Sequence, residues 1–214
     1  MRTLIMVALV VLLAGTAFAQ LENSMGVFFD DASFIPGTTN LNVEPGTEFE
    51  MYIVLLNPTV ISVAAYECSL EISDPGVFVL GLAGPDATWD SGVYTYPDGF
   101  SYGGTNFGDY TNHLFGFQFA VPTYGVAAVL SQMRLLNTSS STVEIRMGAS
   151  SPSSVNGAGP AIANGLNVDD IILCTYTSGP DMGGLVATLN GQGIEFPVAT
   201  EAQSWRGVKS LFAN

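Results

Sequence analysis

Residues 99 to 103 read Gly-Phe-Ser-Tyr-Gly, which matches the G-x-S-x-G pattern that presents a serine nucleophile in many hydrolases. Such a serine needs a base, and the chain contains a single histidine, His113. In these hydrolases the acid lies between serine and histidine in the chain, and Asp109 is the one carboxylate in that interval. The motif therefore raises the hypothesis of an esterase built on Ser101.

The surroundings of Ser101 do not fit a nucleophile elbow, which needs a strand before the serine and a helix after it. Turn-forming residues occupy both sides, with Pro97-Asp98-Gly99 before and Gly103-Gly104 after. The twelve residues from Ser101 to His113 are also too few for the strand and helix units that a hydrolase places there. We therefore predict a glycine-rich loop at this position and a protein that is not an enzyme.

Metal and cofactor chemistry has equally little support. One histidine and two cysteines are too few for a usual zinc site, and no calcium-binding loop of the D-x-D-x-D-G type occurs. The acidic pairs Asp30-Asp31 and Asp169-Asp170 offer weak calcium ligands, with solvated charge at strand ends as the favoured interpretation. The prediction is no cofactor and no metal.

The N-terminus has the pattern of a secretory signal peptide over residues 1–19. Arg2 provides the positive charge, residues 4–14 are apolar, and Ala17-Phe18-Ala19 matches a cleavage site. The apolar run is shorter than the roughly 20 residues that a membrane-spanning helix needs. We predict a secreted protein, extracellular or at the cell surface, with the periplasm as the alternative.

Two cysteines remain after the signal peptide, Cys68 and Cys174. An even number of cysteines in an oxidising compartment predicts a disulfide between them, and two buried free thiols are the alternative.

Charge narrows the classes of partner. The chain has 19 acidic and 5 basic residues, a formal net charge of −14. Nucleic acids and anionic membranes are bound by clustered Lys and Arg, so both are poor partners for this chain.

The strongest candidate for a binding site is an aromatic segment between residues 85 and 113, rich in Gly, Asp and Asn. Aromatic side chains on glycine-rich loops provide large contact areas at small entropic cost. The alternative is that these rings, Phe107 among them, fill the core. The predicted ligand-binding residues, for a protein or glycan partner, are Trp89, Tyr94, Tyr96, Tyr102 and Tyr110.

The elements that must position these residues read as strands. Apolar and polar residues alternate in "AYECSLEI" from residue 65 and in "VEIRM" from 143, and "FEMYIVLL" from 49 is apolar on both faces, as in a central strand. The stretch 126–136 also fits a helix, but its flanking strands favour a strand. Frequent Pro-Gly and Asn-Gly turns separate these segments, so we predict an all-β, two-sheet antiparallel sandwich over residues 20–197.

The remaining residues, 198–214, differ in character. Trp205, Val208 and Phe212 lie at helical spacing, which predicts a short amphipathic C-terminal tail, and a frayed terminus is the alternative.

The order of the strand-like segments over residues 25–197 resembles the cohesin family and its carbohydrate-binding-module relatives. The segments that carry the resemblance are "NVEPGTEFEMYIVLLN", "VAAYECSLEISDPGVFVLGL", "AAVLSQMRLLNTSSSTVEIRMGASS" and "LNGQGIEF". Ser73 stands where the family pattern has a tyrosine before Asp-Pro, so the resemblance implies the jelly-roll sandwich rather than dockerin recognition. It implies a non-catalytic binding or assembly module at a bacterial cell surface or matrix, with a carbohydrate-binding module as the alternative.

Overall fold

The computed structural model describes residues 21–29, 38–85, 88–89, 92–93, 102–124 and 127–194, all within one compact unit, Leu21–Phe196. The signal-peptide and tail segments, Asp30-Asp31, Tyr94, Tyr96 and Ser101 lie outside these residues. The described residues form fifteen strands: β1 (Ser24–Phe28), β2 (Asn40–Leu41), β3 (Thr47–Leu56), β4 (Ser62–Ile72), β5 (Val77–Ala83), β6 (Thr88–Trp89), β7 (Gly92–Val93), β8 (Thr105–Asn106), β9 (Asn112–Pro122), β10 (Ala127–Asn137), β11 (Val143–Gly148), β12 (Ala161–Asn164), β13 (Asn167–Leu173), β14 (Thr175–Tyr176) and β15 (Leu185–Leu189).

Two sheets account for thirteen of these strands, and β6 and β7 form a separate two-stranded ribbon. The first sheet has the order β14-β1-β3-β10-β5. The second runs β13-β12-β4-β11-β15-β2, and β9 pairs with β4 and with β8. Neighbouring strands are antiparallel except at two sheet edges, where β14 joins β1 and β2 joins β15 in parallel. This is the predicted sandwich architecture.

Strand β4 organises the second sheet because it is long enough to serve three neighbours. Its pairing with β9 runs from Ser62 to Ser69 and uses one edge. The other edge is shared, since β12 pairs with residues 63–67 and β11 with residues 69–72. The first half of β4 therefore lies in the middle of a five-strand surface with the order β13-β12-β4-β9-β8.

The hydrophobic core joins residues of both sheets. Strand β3 is buried on both faces from Met51 to Leu56, as its unbroken apolar sequence predicts for a central strand. The ambiguous stretch is strand β10, and Val143, Ile145 and Met147 of β11 face inward as predicted. Among the described residues the one helical element is a 3-10 turn, Pro180–Met182, and none is long and apolar enough to cross a membrane.

The predicted disulfide is wrong, because Cys68 and Cys174 are both free, buried thiols. Strand β12 lies between them. The register that pairs Ala161 with both Glu67 and Leu173 places Pro160 level with Cys68 on one side and Cys174 on the other. Two interstrand spacings amount to about 10 Å, whereas a disulfide requires Cα atoms within about 7 Å.

Candidate binding surface

The histidine of the serine motif lies in the core. His113 is fully buried on β9, where its Nε2 donates to the carbonyl oxygen of Tyr110, 3.1 Å away. A carbonyl can only accept, so Nδ1 is the acceptor atom, and the hydroxyl of Tyr66 lies 3.1 Å from it. That hydroxyl donates its one hydrogen to the Ser131 hydroxyl at 2.7 Å. Both ring nitrogens therefore lie against polar atoms of the core, and burial lowers the pKa of His113.

Asp109, the acid that the serine motif would need, serves its own loop instead. Its Oδ1 accepts hydrogen bonds from the backbone and hydroxyl of Thr111 and from the backbone of Asn112, at 2.7–2.8 Å. These bonds hold the pKa of the exposed Asp109 carboxyl below its usual value. Asp109 therefore stabilises its own loop, while His113 is bonded inside the core.

The predicted aromatic site is divided by the structure. Tyr110 is 48% exposed, but Tyr102 is only 6% exposed and belongs to the core cluster, so its prediction as a ligand-binding residue is wrong. Its carbonyl oxygen accepts a hydrogen bond from the backbone N–H of Phe119 in β9. Trp89 lies in β6, but its side chain is outside the described part of the structure. Tyr94 and Tyr96 lie outside it altogether.

Phe107 lies at the surface and does not fill the core, which was the alternative that the sequence left open for it. Its side chain is 76% exposed, and its backbone N–H donates to Leu114 of β9 at 2.9 Å. An isolated exposed ring needs no explanation, but Phe107 forms one wall of a larger apolar surface.

This surface, which we call the groove, is the outer face of the five strands β13-β12-β4-β9-β8. Cross-strand register defines two rows across it, because directly opposite residues share a face. One row runs Ile171, Ala163, Ala65, Gly116 and Thr105, and the next runs Leu173, Ala161, Glu67, Leu114 and Phe107.

Residue size makes this face concave. Alanines and a glycine occupy its middle strands, while Ile171 on one side and Leu114 and Phe107 on the other form the walls. The depression has a volume of about 210 Å³. The Phe107 ring leans toward Gly116, where a Cβ would come within 3.4 Å of it. From β13 to β8 the face spans four interstrand spacings, about 19 Å.

Glu67 is the one carboxylate in the floor of the groove, and its hydrogen bonds are already made. The Ser154 backbone N–H and hydroxyl donate to its two oxygens at 2.8 Å each, and the Ser153 hydroxyl donates at 3.3 Å. The side chain is consequently buried although it lies on the outer face. Glu67 fixes the loop that follows β11 against the groove and leaves the remaining floor apolar.

The acidic pair Asp169-Asp170 lies exposed on β13, as expected for solvated charge. Asp170 accepts a hydrogen bond from the Asn164 side chain at 3.0 Å. Within the described ranges no group of three or more His, Cys, Asp or Glu side chains is placed to hold a metal ion.

Sequence reasoning missed the groove because its floor consists of the least conspicuous residues. The alternating pattern correctly placed Glu67 on the outer face of β4. A weak signal was present in the small residues Ala161 and Ala163, spaced two apart on β12. Only the register of five strands shows that they lie beside Ala65 and Gly116.

No family model matches the chain, and no curated protein matches it. Solved structures similar to it include the sixth cohesin of Acetivibrio cellulolyticus scaffoldin B, solved in complex with a Cel5 dockerin mutant (8% identity, 80% of this chain, 100% of that chain, TM-score 0.49). A second is a non-cellulosomal cohesin from the archaeon Archaeoglobus fulgidus (8% identity, 86% of this chain, 97% of that chain, TM-score 0.41). A third is a type II cohesin domain from the Acetivibrio cellulolyticus cellulosome (14% identity, 73% of this chain, 91% of that chain, TM-score 0.42). All three of these structures are cohesins.

Proposed function

We propose that this protein is a non-catalytic binding or assembly module that docks a protein partner on the groove. The observation that carries the proposal is an apolar concave face, walled by the exposed Phe107 and Ile171, on the outside of the sandwich. Contiguous exposed apolar surfaces of this kind mark interaction sites in soluble proteins.

The lining favours a protein over a glycan. Sugar hydroxyls need hydrogen-bond partners on the protein, and burying them without partners is costly. The groove floor offers Ala65, Ala163 and Gly116, and the carboxylate of Glu67 is already bonded to serines. A partner's aliphatic or aromatic side chains fit such a floor, with Phe107 as the anchor that covers them.

The test compares two exposed phenylalanines on different sheets. Phe107→Ala removes the groove wall, and the matched control Phe78→Ala removes a 51% exposed ring from β5, in the other sheet. Proteins captured from the source organism's culture by the wild-type chain are identified and purified, and their affinity is then measured by calorimetry. Loss of an anchoring aromatic costs about 2 kcal/mol or more, so we expect roughly thirtyfold weaker binding for Phe107→Ala.

The control should bind as the wild type does, and both variants should keep the wild-type melting temperature because neither ring is in the core. Equal affinities of wild type and Phe107→Ala for every purified partner would contradict the proposed site.

Glycan binding through the aromatic segment is the alternative function. Its remaining candidates are Trp89, Tyr94, Tyr96 and Tyr110, of which Tyr110 is seen to be exposed. Selective binding on a glycan array, lost in Tyr110→Ala and retained in Phe107→Ala, would favour this alternative over a protein partner.

The proposed place of action is outside the cytoplasm, and the support is the pattern of residues 1–19. Mass spectrometry of the protein from culture medium should find a mature N-terminus at Gln20. An uncleaved chain retained in the cytoplasm would argue against secretion.

A further inference from the structure

The edge of β13 is a second surface, and the described part of the chain leaves it without a partner strand. Strand β13 ends the second sheet, and β12 is its one neighbour in the described part of the chain. The backbone N–H of Cys174 donates to the carbonyl oxygen of Pro160 at 2.8 Å. This bond shows which of the opposite residue pairs between β12 and β13 are hydrogen-bonded and which are not. Because bonded and non-bonded pairs alternate in antiparallel strands, the N–H and C=O groups of Ile171 and Leu173 point away from β12.

The same two residues carry exposed apolar side chains. Ile171 and Leu173 lie opposite Ala163 and Ala161, so they face the groove side of the sheet. A strand added at this edge would satisfy four backbone groups and place its alternate side chains beside Ile171 and Leu173. Strand addition of this kind gives affinity through the backbone and selectivity through the side chains.

Protection of the edge is confined to its first half. Proteins guard edge strands with charges, bulges or prolines. In β13 the pairing with β12 is irregular between Asn167 and Ile171, and Asp169 and Asp170 lie exposed in that interval. Residues 171–173 read Ile-Ile-Leu and carry no charge.

Charge decides between the occupants of this edge. A second copy of the chain would bring another Asp169-Asp170 pair and a formal net charge of −14 to the same interface. Two surfaces of the same negative charge repel each other, so self-pairing is opposed. A basic segment is attracted by the same two carboxylates.

We propose that the β13 edge binds an extended segment of a partner protein by strand addition, with apolar residues alternating along it and Lys or Arg near Asp169 and Asp170. The groove and this edge share Ile171, but the edge proposal rests on the backbone groups that point away from β12 and does not depend on the groove.

The experiment uses two defined peptides of eight residues, one alternating Lys and Val and the other alternating Glu and Val. Amide hydrogen exchange of the full chain is followed by NMR with and without each peptide. We expect the Lys-Val peptide to slow exchange at Ile171 and Leu173 at least tenfold, while Ile172, already bonded to β12, changes little. The Glu-Val peptide should have no effect.

Two variants connect the effect to the edge and to its charge. Ile171→Pro deletes an N–H that points away from β12, so the sheet is retained and affinity for the Lys-Val peptide should fall at least tenfold. Ile171→Val is the matched control and should bind normally. The double variant Asp169→Lys with Asp170→Lys should reverse the preference, so that the Glu-Val peptide binds better than the Lys-Val peptide. Unlike Ile171→Pro, this variant changes only side-chain charge and removes no backbone N–H.

Three results would overturn the proposal: no slowing of exchange at Ile171 and Leu173 with the Lys-Val peptide, unchanged affinity in Ile171→Pro, or the same preference after the charge reversal. A chain that dimerises in solution and becomes monomeric in Ile171→Pro would assign the edge to a second copy instead. Phe107→Ala separates the two sites, because it should weaken the groove partner and leave the Lys-Val effect intact.

Discussion

Burial keeps the imidazole of His113 neutral, and for this reason we expect the stability of the fold to depend on pH. Its ring nitrogens contact Tyr66 and the Tyr110 carbonyl inside the core, and its pKa lies below the usual 6.5 because burial disfavours the charged form. Asp109 nearby opposes the shift without cancelling it. The unfolded chain therefore takes up a proton at His113 before the folded chain does.

We predict that stability falls as the pH drops below about 6.5, since the unfolded state then binds more protons than the folded state. The free energy of unfolding, measured by urea titration at about pH 7.5 and about pH 5, should decrease more in the wild type than in His113→Gln. Asp74 and Asp109 have pKa values below 3.8, so they stay charged in this window. An equal decrease in both proteins would show that His113 does not govern the acid response.

Two glycines with positive φ, Gly46 and Gly184, differ in the space around them. Gly184 has a φ of +77°, and a Cβ there would lie 2.2 Å from the carbonyl oxygen of Met147, whose backbone N–H donates to the Gly184 carbonyl. Gly46 has a φ of +85° and no atom within 4 Å of such a Cβ. The two positions therefore separate backbone strain from steric overlap.

Gly46→Ala should cost about 1–2 kcal/mol, the penalty for a left-handed backbone in a residue with a Cβ. Gly184→Ala should cost a further 1–3 kcal/mol or so because the overlap forces β11 and β15 apart. Denaturant unfolding of both variants measures the difference. Equal losses would mean that the β11–β15 pairing, whose register shifts between Ile145 and Arg146, relaxes freely.

At the scale of elements, the interposed strand β12 decides the chemistry of the two cysteines. Burial raises the pKa of the Cys174 thiol to about 12 and raises that of Cys68 further. Because the thiolate is the reactive form, both should be nearly inert in the folded protein.

We predict that the native protein reacts with a thiol reagent only slowly, and that the denatured protein shows two free thiols even when it is purified without reductant. Alkylation in denaturant followed by mass spectrometry counts them. Cys68→Ala provides the control, with one alkylated thiol expected. A protein that gains two alkyl groups only after reduction would contradict the strand order around β12.

For the whole molecule, the dominant electrostatic property is the excess of acidic residues. The ion pairs of the described residues include Arg134 with Glu48 and Arg146 with Glu144, and both are at the surface. Surface pairs contribute roughly 0–1 kcal/mol each, so they offset little of the repulsion that a net charge of −14 creates.

Salt should therefore stabilise this protein. Raising NaCl from about 0.02 M to about 0.2 M shortens the range of charge interactions from roughly 20 Å to below 10 Å, and the melting temperature should rise. Arg134→Gln is a useful comparison, since it increases the negative charge and should enlarge the effect of salt. A melting temperature that falls with salt would show that attractive pairs outweigh the repulsion.

The sequence by itself determined the class of fold. Alternation in β4 and β11 and the two-sided apolar run of β3 are local patterns, and local patterns suffice because strand periodicity is set by the backbone. The prediction of a glycine-rich loop at Ser101 also rests on local residues, the turn formers on either side of it.

Tertiary structure alone decided which residues meet. Register between distant strands brings Ala65, Gly116 and Ala163 together as a groove, places Pro160 between the two cysteines, and buries Tyr102 while exposing Phe107. The sequence does not reveal these contacts, because the alternating pattern of a strand indicates which face a residue prefers but not which strand lies beside it. A shift of one residue in any of these pairings would reverse the faces, and with them both proposed binding surfaces.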